Sequence, residues 1–237
     1  MKERLIVALD LEDGNENFEL SEKLKGTVSW VKIGYQALYS LGTEVFAWYS
    51  ENRINTFLDL KFHDIPNTVA RDVGTMTKHG ANMINMHASG GIEMMQAARI
   101  RADDVAQDRR IDKPILLGVT ILTSTNEAEF QFQFGSERHL SNQVVFLAKQ
   151  AKEAGLDGVV ASPLEIELIR KACGDDFIIV TPGIRPSWAN RGDQKRITTP
   201  SEAINRGADF LVVGRPIIEA DDPIEAAEMI LDEMRGE

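Results

Sequence analysis

Two aspartates and two lysines sit at the ends of three short apolar runs. Asp10 closes Leu5-Ile6-Val7-Ala8-Leu9, Lys32 lies within Val31-Lys32-Ile33-Gly34, and Asp59 and Lys61 bracket Leu60 in Leu58-Asp59-Leu60-Lys61-Phe62-His63-Asp64. Successive side chains of an extended strand face opposite sides, so Asp59 and Lys61 are expected on one side and Leu60 and Phe62 on the other. Charged groups clustered in a concave place shift each other's ionisation, which is what a reactive site needs. Any one of these residues could be part of a solubilising rim of salt bridges. Four of them, arriving from three consecutive runs, favour a site.

A second signal is anion recognition. Thr181-Pro182-Gly183-Ile184-Arg185 and Val212-Val213-Gly214-Arg215-Pro216 each end an apolar run with a glycine and an arginine. Glycine lets the backbone approach an anion, arginine offers paired hydrogen bonds, and Pro216 suits the first turn of a short helix. Two such turns together point to phosphate. The histidines give a weaker signal: His63 is expected to face away from Lys61, and His87 to orient a loop, so neither is assigned a catalytic role. No His-x-x-x-His or paired-cysteine spacing supports a transition metal. Asp10, Asp59 and Asp64 could hold Mg²⁺, but the two lysines among them would compete with it, so no metal is expected.

The elements that must position these residues follow from the apolar pattern. Eight β-type runs recur: 4–10, 28–34, 54–61, 83–87, 114–120, 158–162, 177–182 and 210–214. Most are continuously apolar, as strands covered on both faces are, and helical stretches such as 68–79, 143–154, 164–171 and 224–234 lie between them. Glycine marks several helix-to-strand junctions: Gly80, Gly155 and Gly207. Eight β-then-α units averaging about thirty residues match a single (β/α)8 TIM barrel over residues 1–237, whose active site lies at the C-terminal ends of the strands. Two stretches are candidate lids. One is the insertion from Thr123 to Ser141 after the fifth strand, where Phe130, Phe132 and Phe134 could equally anchor an ordinary surface excursion. The other is Gly183 to Ile197 after the seventh strand, the better candidate.

Composition excludes several classes of function. A net charge of −11, from 26 basic and 37 acidic residues over 237 positions, argues against duplex nucleic acid as a partner. An anionic ligand would therefore need local positive charge, a role that Arg185 and Arg215 fit. The longest apolar run, 115–122, falls far short of the ~20 residues that span a bilayer, so no membrane partner is expected. A lone cysteine, Cys173, and an N-terminus with no room for an export signal suit a reducing, cytoplasmic setting.

Taken together, these segments resemble the orotidine 5′-monophosphate decarboxylase family. Leu58-Asp59-Leu60-Lys61-Phe62-His63-Asp64-Ile65-Pro66-Asn67-Thr68 is similar to its signature. Ala8-Leu9-Asp10, Val31-Lys32-Ile33-Gly34, Val119-Thr120-Ile121-Leu122-Thr123-Ser124, Thr181-Pro182-Gly183-Ile184-Arg185-Pro186, Gly192-Asp193-Gln194-Lys195-Arg196 and Val213-Gly214-Arg215-Pro216 appear in the family's order. The Asp-x-Lys-x-x-Asp core alone is shared with related barrel decarboxylases and aldolases of sugar phosphates, whereas the full set is specific.

The resemblance implies conversion of orotidine 5′-monophosphate to UMP and CO₂, the last step of pyrimidine nucleotide synthesis, without metal or organic cofactor. It implies Lys61 as proton donor to C6, with Lys32, Asp59 and Asp64 completing the charged network. Asp10 and Lys32 would hold the ribose, Thr123 the pyrimidine, Gln194 both phosphate and base, and Arg185, Gly214 and Arg215 the phosphate. It also implies a homodimer in which Asp64 and Thr68 reach the neighbouring site. Two alternatives stay open. A Mg²⁺-dependent sugar-phosphate decarboxylase or hexulose-phosphate synthase would typically carry an acidic residue where Lys32 stands. A non-catalytic barrel that binds nucleotides would bind without turnover.

Overall fold

The computed structural model describes residues 1–135, 137–189 and 198–236. Its strands are β1 (Leu5–Leu9), β2 (Trp30–Ile33), β3 (Asn55–Phe62), β4 (Met83–His87), β5 (Ile115–Val119), β6 (Gly158–Val160), β7 (Ile178–Thr181) and β8 (Phe210–Val213). Each pairs in parallel with the next, and β1 pairs with β8, so the sheet closes into a barrel in chain order. The helices outside it are α1 (Gly14–Leu24), α2 (Tyr35–Leu41), α3 (Val45–Glu51), α4 (Pro66–His79), α5 (Ile92–Arg109), α6 (Glu127–Phe134), α7 (Leu140–Glu153), α8 (Ile166–Cys173), α9 (Pro200–Asn205), α10 (Arg215–Ile218) and α11 (Pro223–Arg235). This is the (β/α)8 barrel expected from the run of apolar segments.

Continuous apolarity in the strands reflects two cores. Ile6, Trp30, Phe57, Met83, Leu117, Val180 and Val212 fill the barrel, while Val7, Val31, Leu58, Ile84, Leu116, Ile179 and Leu211 pack outward against the helices. Because the strand period is two, the inward file that carries Ile6 and Trp30 at depth reaches Lys32 and Asp59 nearer the C-terminal end. The helix-to-strand junctions use their glycines for backbone: Gly80, Gly155 and Gly207 take φ of 92°, 81° and 103°, a region that L side chains rarely enter. α4 begins two residues earlier than its apolar pattern suggests, because Pro66 has no N–H to leave unpaired in a first turn.

The insertion after β5 forms α6, started by a reciprocal cap between Asn126 and Glu129 and stopped at Gly135 with φ 56°. Its three phenylalanines do not act alike. Phe130 is buried and Phe134 packs on it with ring centroids 5.2 Å apart, whereas Phe132 is 92% exposed. The expectation of three anchors fails because residues four apart share a helix face and residues two apart do not. After β7, Ile184 pairs with Thr198, and the Arg185 N–H donates to the Thr198 carbonyl at 3.0 Å. The stems of the Gly183 to Ile197 stretch are thus tied together at their base. The remainder of that lid candidate, 190–197, lies outside the described residues.

Candidate active site

Asp10, Lys32, Asp59 and Lys61 converge at the C-terminal mouth as one line of alternating charge. Lys32 Nζ lies 2.8 Å from Asp10 Oδ1 and 3.3 Å from Asp59 Oδ2, and Lys61 Nζ lies 2.7 Å from Asp59 Oδ1. Exposure grades along it: the Lys32 and Asp59 side chains are 11% and 13% exposed, Lys61 34% and Asp10 48%. The inner pair forms the foundation and Lys61 is the cation that opens to the cavity. Burial pushes the Asp59 carboxyl up, but Lys32, Lys61 and hydrogen bonds from Lys61 and Asn85 outweigh it and hold the group below the usual carboxylate range. Burial likewise opposes charge on Lys32, and Asp59 and Asp10 overcome it, so its ammonium is held above the ordinary lysine value.

Simple strand alternation does not place Lys61. Leu58 pairs with Ile84 and Phe62 with Met86, so β3 spends four residues where β4 spends two. Lys61 sits inside this bulge with φ 49°, an uncommon value for a residue with a Cβ. Asp59 and Lys61 do meet, as expected, but the bulge rather than the pleat brings the ammonium onto the carboxylate. Leu60 packs into the helix-side core, with Phe62 against it, as expected.

Asn85 is the residue that motif reasoning missed. Fully buried on β4, it donates from Nδ2 to Asp59 Oδ1 at 2.6 Å and accepts the Lys61 backbone N–H at Oδ1 at 2.8 Å. The available signal was a lone amide in Met83-Ile84-Asn85-Met86, since a polar group buried in a strand must find partners.

The line of charge stands between two lobes of the mouth. One, a cavity of about 400 Å³, is walled by Phe57, Val119, Ile121, Leu122, Val160 and Val212, with Thr123 and Ser124 at its edge. The other, about 570 Å³, carries Asp10, Arg185, Gly214 and Arg215, with Glu12 and Glu219 also at its wall. Lys32, Asp59, Lys61, Pro182 and Val212 line both. Arg185 is buried and donates to the Ile184 carbonyl at 2.9 Å, which holds its guanidinium in the wall. An apolar lobe, a charged divide and an arginine lobe suit a ligand with a flat ring at one end and a phosphate at the other.

Three expected site residues stand apart. Asp64 is exposed beyond β3, its carboxylate accepts the Ile65 N–H at 2.6 Å, and it makes no ion pair with Lys32 or Lys61 of the same chain. Thr68 lies in the first turn of α4, outside both lobes. Gln194 lies outside the described residues. His63 and His87 pack ring against ring, centroids 5.3 Å apart, and both line a further cavity of about 300 Å³ with Phe130 and Phe134. Burial, with His63 and Lys61 adding to it, pushes the His87 imidazole below its ordinary pKa.

The family model described as Orotidine 5'-phosphate decarboxylase / HUMPS matches residues 3–230. The orotidine 5'-phosphate decarboxylase of Carboxydothermus hydrogenoformans is 48% identical over 236 residues, covering 100% of this chain and 98% of that protein. Its counterpart from Pelobacter propionicus is 47% identical over 233 residues, 98% of this chain and 95% of the relative. Among solved structures, orotidine 5'-phosphate decarboxylase from Lactobacillus acidophilus aligns with a TM-score of 0.86 at 36% identity, covering 98% of this chain and 99% of that one.

Proposed function

The chain belongs to the orotidine 5'-phosphate decarboxylase / HUMPS family, and on that premise we infer that it converts orotidine 5′-monophosphate to UMP and CO₂, closing de novo UMP synthesis. The observation that carries this reading is the Asp10–Lys32–Asp59–Lys61 line standing between an apolar lobe and an arginine lobe. The pyrimidine enters the apolar lobe beside Thr123, the ribose lies along Asp10 and Lys32, and the phosphate meets Arg185, Gly214 and Arg215. Gln194 completes the hold on phosphate and base.

Loss of CO₂ breaks the bond from C6 to the carboxyl carbon and leaves the electron pair on C6, a carbon with no good sink. The site must therefore favour that developing charge over the starting carboxylate. Lys61, the outermost cation of the line, supplies a positive charge there, and a proton from its Nζ takes the place of the departing CO₂. Its amine is reprotonated from solvent on product release. A substrate carboxylate set beside the buried Asp59 meets a second negative charge, and its departure as neutral CO₂ relieves the repulsion. These steps call on no metal or organic cofactor.

One barrel, residues 1–237, carries one such site, and the active form is a homodimer. Asp64 supports this: it belongs to the Asp-x-Lys-x-x-Asp core yet leaves Lys61 of its own chain and projects outward, where it and Thr68 can complete a partner's site. No helix among the described residues is long and apolar enough to cross a membrane. A free, buried Cys173 suits the reducing cytoplasm.

The test is the ultraviolet absorbance of orotidine 5′-monophosphate with purified protein and a chelator, beside a Lys61→Ala control. Wild type should consume substrate and form UMP, and the control should lose activity on the order of 10⁴-fold. A well-folded wild type that is inert with chelator and active with added Mg²⁺ on a sugar phosphate would overturn the reading.

A further inference from the structure

The Leu60–Lys61 peptide is held at both of its polar atoms by side chains. Its carbonyl, on Leu60, accepts the Tyr35 hydroxyl, and its N–H, on Lys61, donates to Asn85 Oδ1 at 2.8 Å. This peptide leads into the left-handed Lys61, φ 49°, within the bulge of β3. Such a backbone is unfavourable for a residue with a Cβ and persists only where its surroundings impose it. Here the surroundings are two side chains, one from the first residue of α2, the helix that follows β2, and one on β4, so elements on both sides of β3 contribute to holding it.

We propose that Asn85 and Tyr35 are positioning residues that clamp the Leu60–Lys61 peptide and so aim the Lys61 ammonium at the reacting carbon, an inference that rests on the decarboxylase reading. Asn85 is suited by chemistry as well as place. It bridges the backbone of the proton donor to the carboxylate of Asp59, which requires one acceptor and one donor on a single short side chain. An aspartate there would have no hydrogen for Asp59, and a leucine would offer neither partner. Tyr35 is half exposed, but burial of its hydroxyl and the neighbouring Tyr39 and Asp59 hold the phenol above its ordinary pKa, so it keeps the proton it donates. The clamp is made wholly of this chain's own groups, and preorganisation of this kind is where a positioned acid gains its rate.

Asn85→Ala and Tyr35→Phe, compared with wild type for kcat, KM and UMP affinity across pH, decide the matter. Asn85→Ala should lower kcat about 100-fold, the scale of a ~1 Å misplacement. UMP affinity should stay within about threefold, because the lobes that hold ring and phosphate are untouched. Tyr35→Phe, which removes only the hydroxyl that the Leu60 carbonyl accepts, should lower kcat about tenfold, the worth of one hydrogen bond. The acid limb of kcat/KM should rise in Asn85→Ala, where Asp59 loses a donor, and stay in place in Tyr35→Phe. A merely structural role would not separate the two in this way. Active wild type with kcat of both variants within about twofold of it, or UMP affinity falling in step with kcat, would overturn the inference alone. An inert wild type would overturn the decarboxylase reading and the inference with it. Should Asn85→Ala be too unstable to assay, an unchanged kcat in Tyr35→Phe is sufficient to overturn it.

Discussion

At the C-terminal mouth Asp59 is surrounded by the side chains of Lys32, Lys61 and Asn85, whereas at the N-terminal rim Asp157 and Asp209 each take a backbone N–H from the preceding strand. The rim follows a rule. Asn82, Asp157 and Asp209 stand just before β4, β6 and β8, and each both donates its own N–H to and accepts one from a single residue of the strand before: Thr56, Leu116 and Ile179. Arg99 reaches Asp157 at 2.8 Å and Arg170 reaches Asp209, pinning helices to the same posts. Carboxylates at the rim therefore fix register, because each ties a backbone N–H of the strand before to a helix arginine. At the mouth they bind one another's counter-charges, so their partners are groups that a substrate can replace. The same residue types build a frame at one end and a reactive field at the other.

The largest test of that contrast is Asp59→Asn. The amide keeps an oxygen for Asn85 and Lys61 but removes the charge and turns its NH2 toward Lys32, which retains Asp10 as a counter-charge, so stability should fall by about 1–3 kcal/mol. Activity should change far more: kcat should fall on the order of 10²–10³-fold, with UMP affinity nearly unaltered. Equal losses in kcat and in UMP affinity would show that Asp59 serves binding rather than the chemical step. The pH dependence has a definite sign. Asp59 is held below the ordinary carboxylate value of 3.8, so its stabilising contribution is complete above that pH and is lost as pH falls through the depressed folded value. Lys32 is held above 10.5, so its contribution is complete below that pH and is lost as pH rises through the raised folded value. The line of charge is therefore intact across the neutral range.

How much of this was legible in the residues differs between the two ends for the same reason. The glycine junctions 80, 155 and 207 were visible, and the residues two places on are the rim posts, so the frame follows a short local spacing. The mouth was legible only in its charges. Asp10, Lys32, Asp59 and Lys61 stand out because ionisable groups interrupt apolar strands. The bulge that sets Lys61 depends on the register of β3 against β4, which no local pattern records. Asn85 and Tyr35 act through atoms whose aim is decided by neighbouring strands, and Phe132 turns outward because α6 is a helix rather than an extended anchor.

A second difference is that the rim posts find their partners within one chain, while Asp64 at the mouth does not meet the lysines of its own. Mixing Lys61→Ala with Asp64→Asn subunits sharpens this. Random exchange makes half the dimers mixed, and each mixed dimer rebuilds one of its two sites, so about a quarter of wild-type activity should return from two nearly dead parents. No recovery after proven exchange would place Asp64 in its own subunit's site, and the mouth would then be closed within one chain like the rim.

The smallest effect on turnover belongs to the rim. Asp209→Ala leaves the Ile179 N–H without its side-chain acceptor and releases Arg170 from its post, yet touches nothing within either lobe of the mouth. Because Asp209 is about one-third exposed, water takes up part of the loss, and a destabilisation of about 2 kcal/mol is expected. For a chain of this length that corresponds to a melting temperature lower by about 4 to 8 °C. Well below that temperature kcat should stay within about twofold of wild type. A kcat that fell with the melting temperature would mean that strain at the rim is transmitted along β7 and β8 to Arg185 and Arg215, and that frame and reactive field are one mechanical unit rather than two.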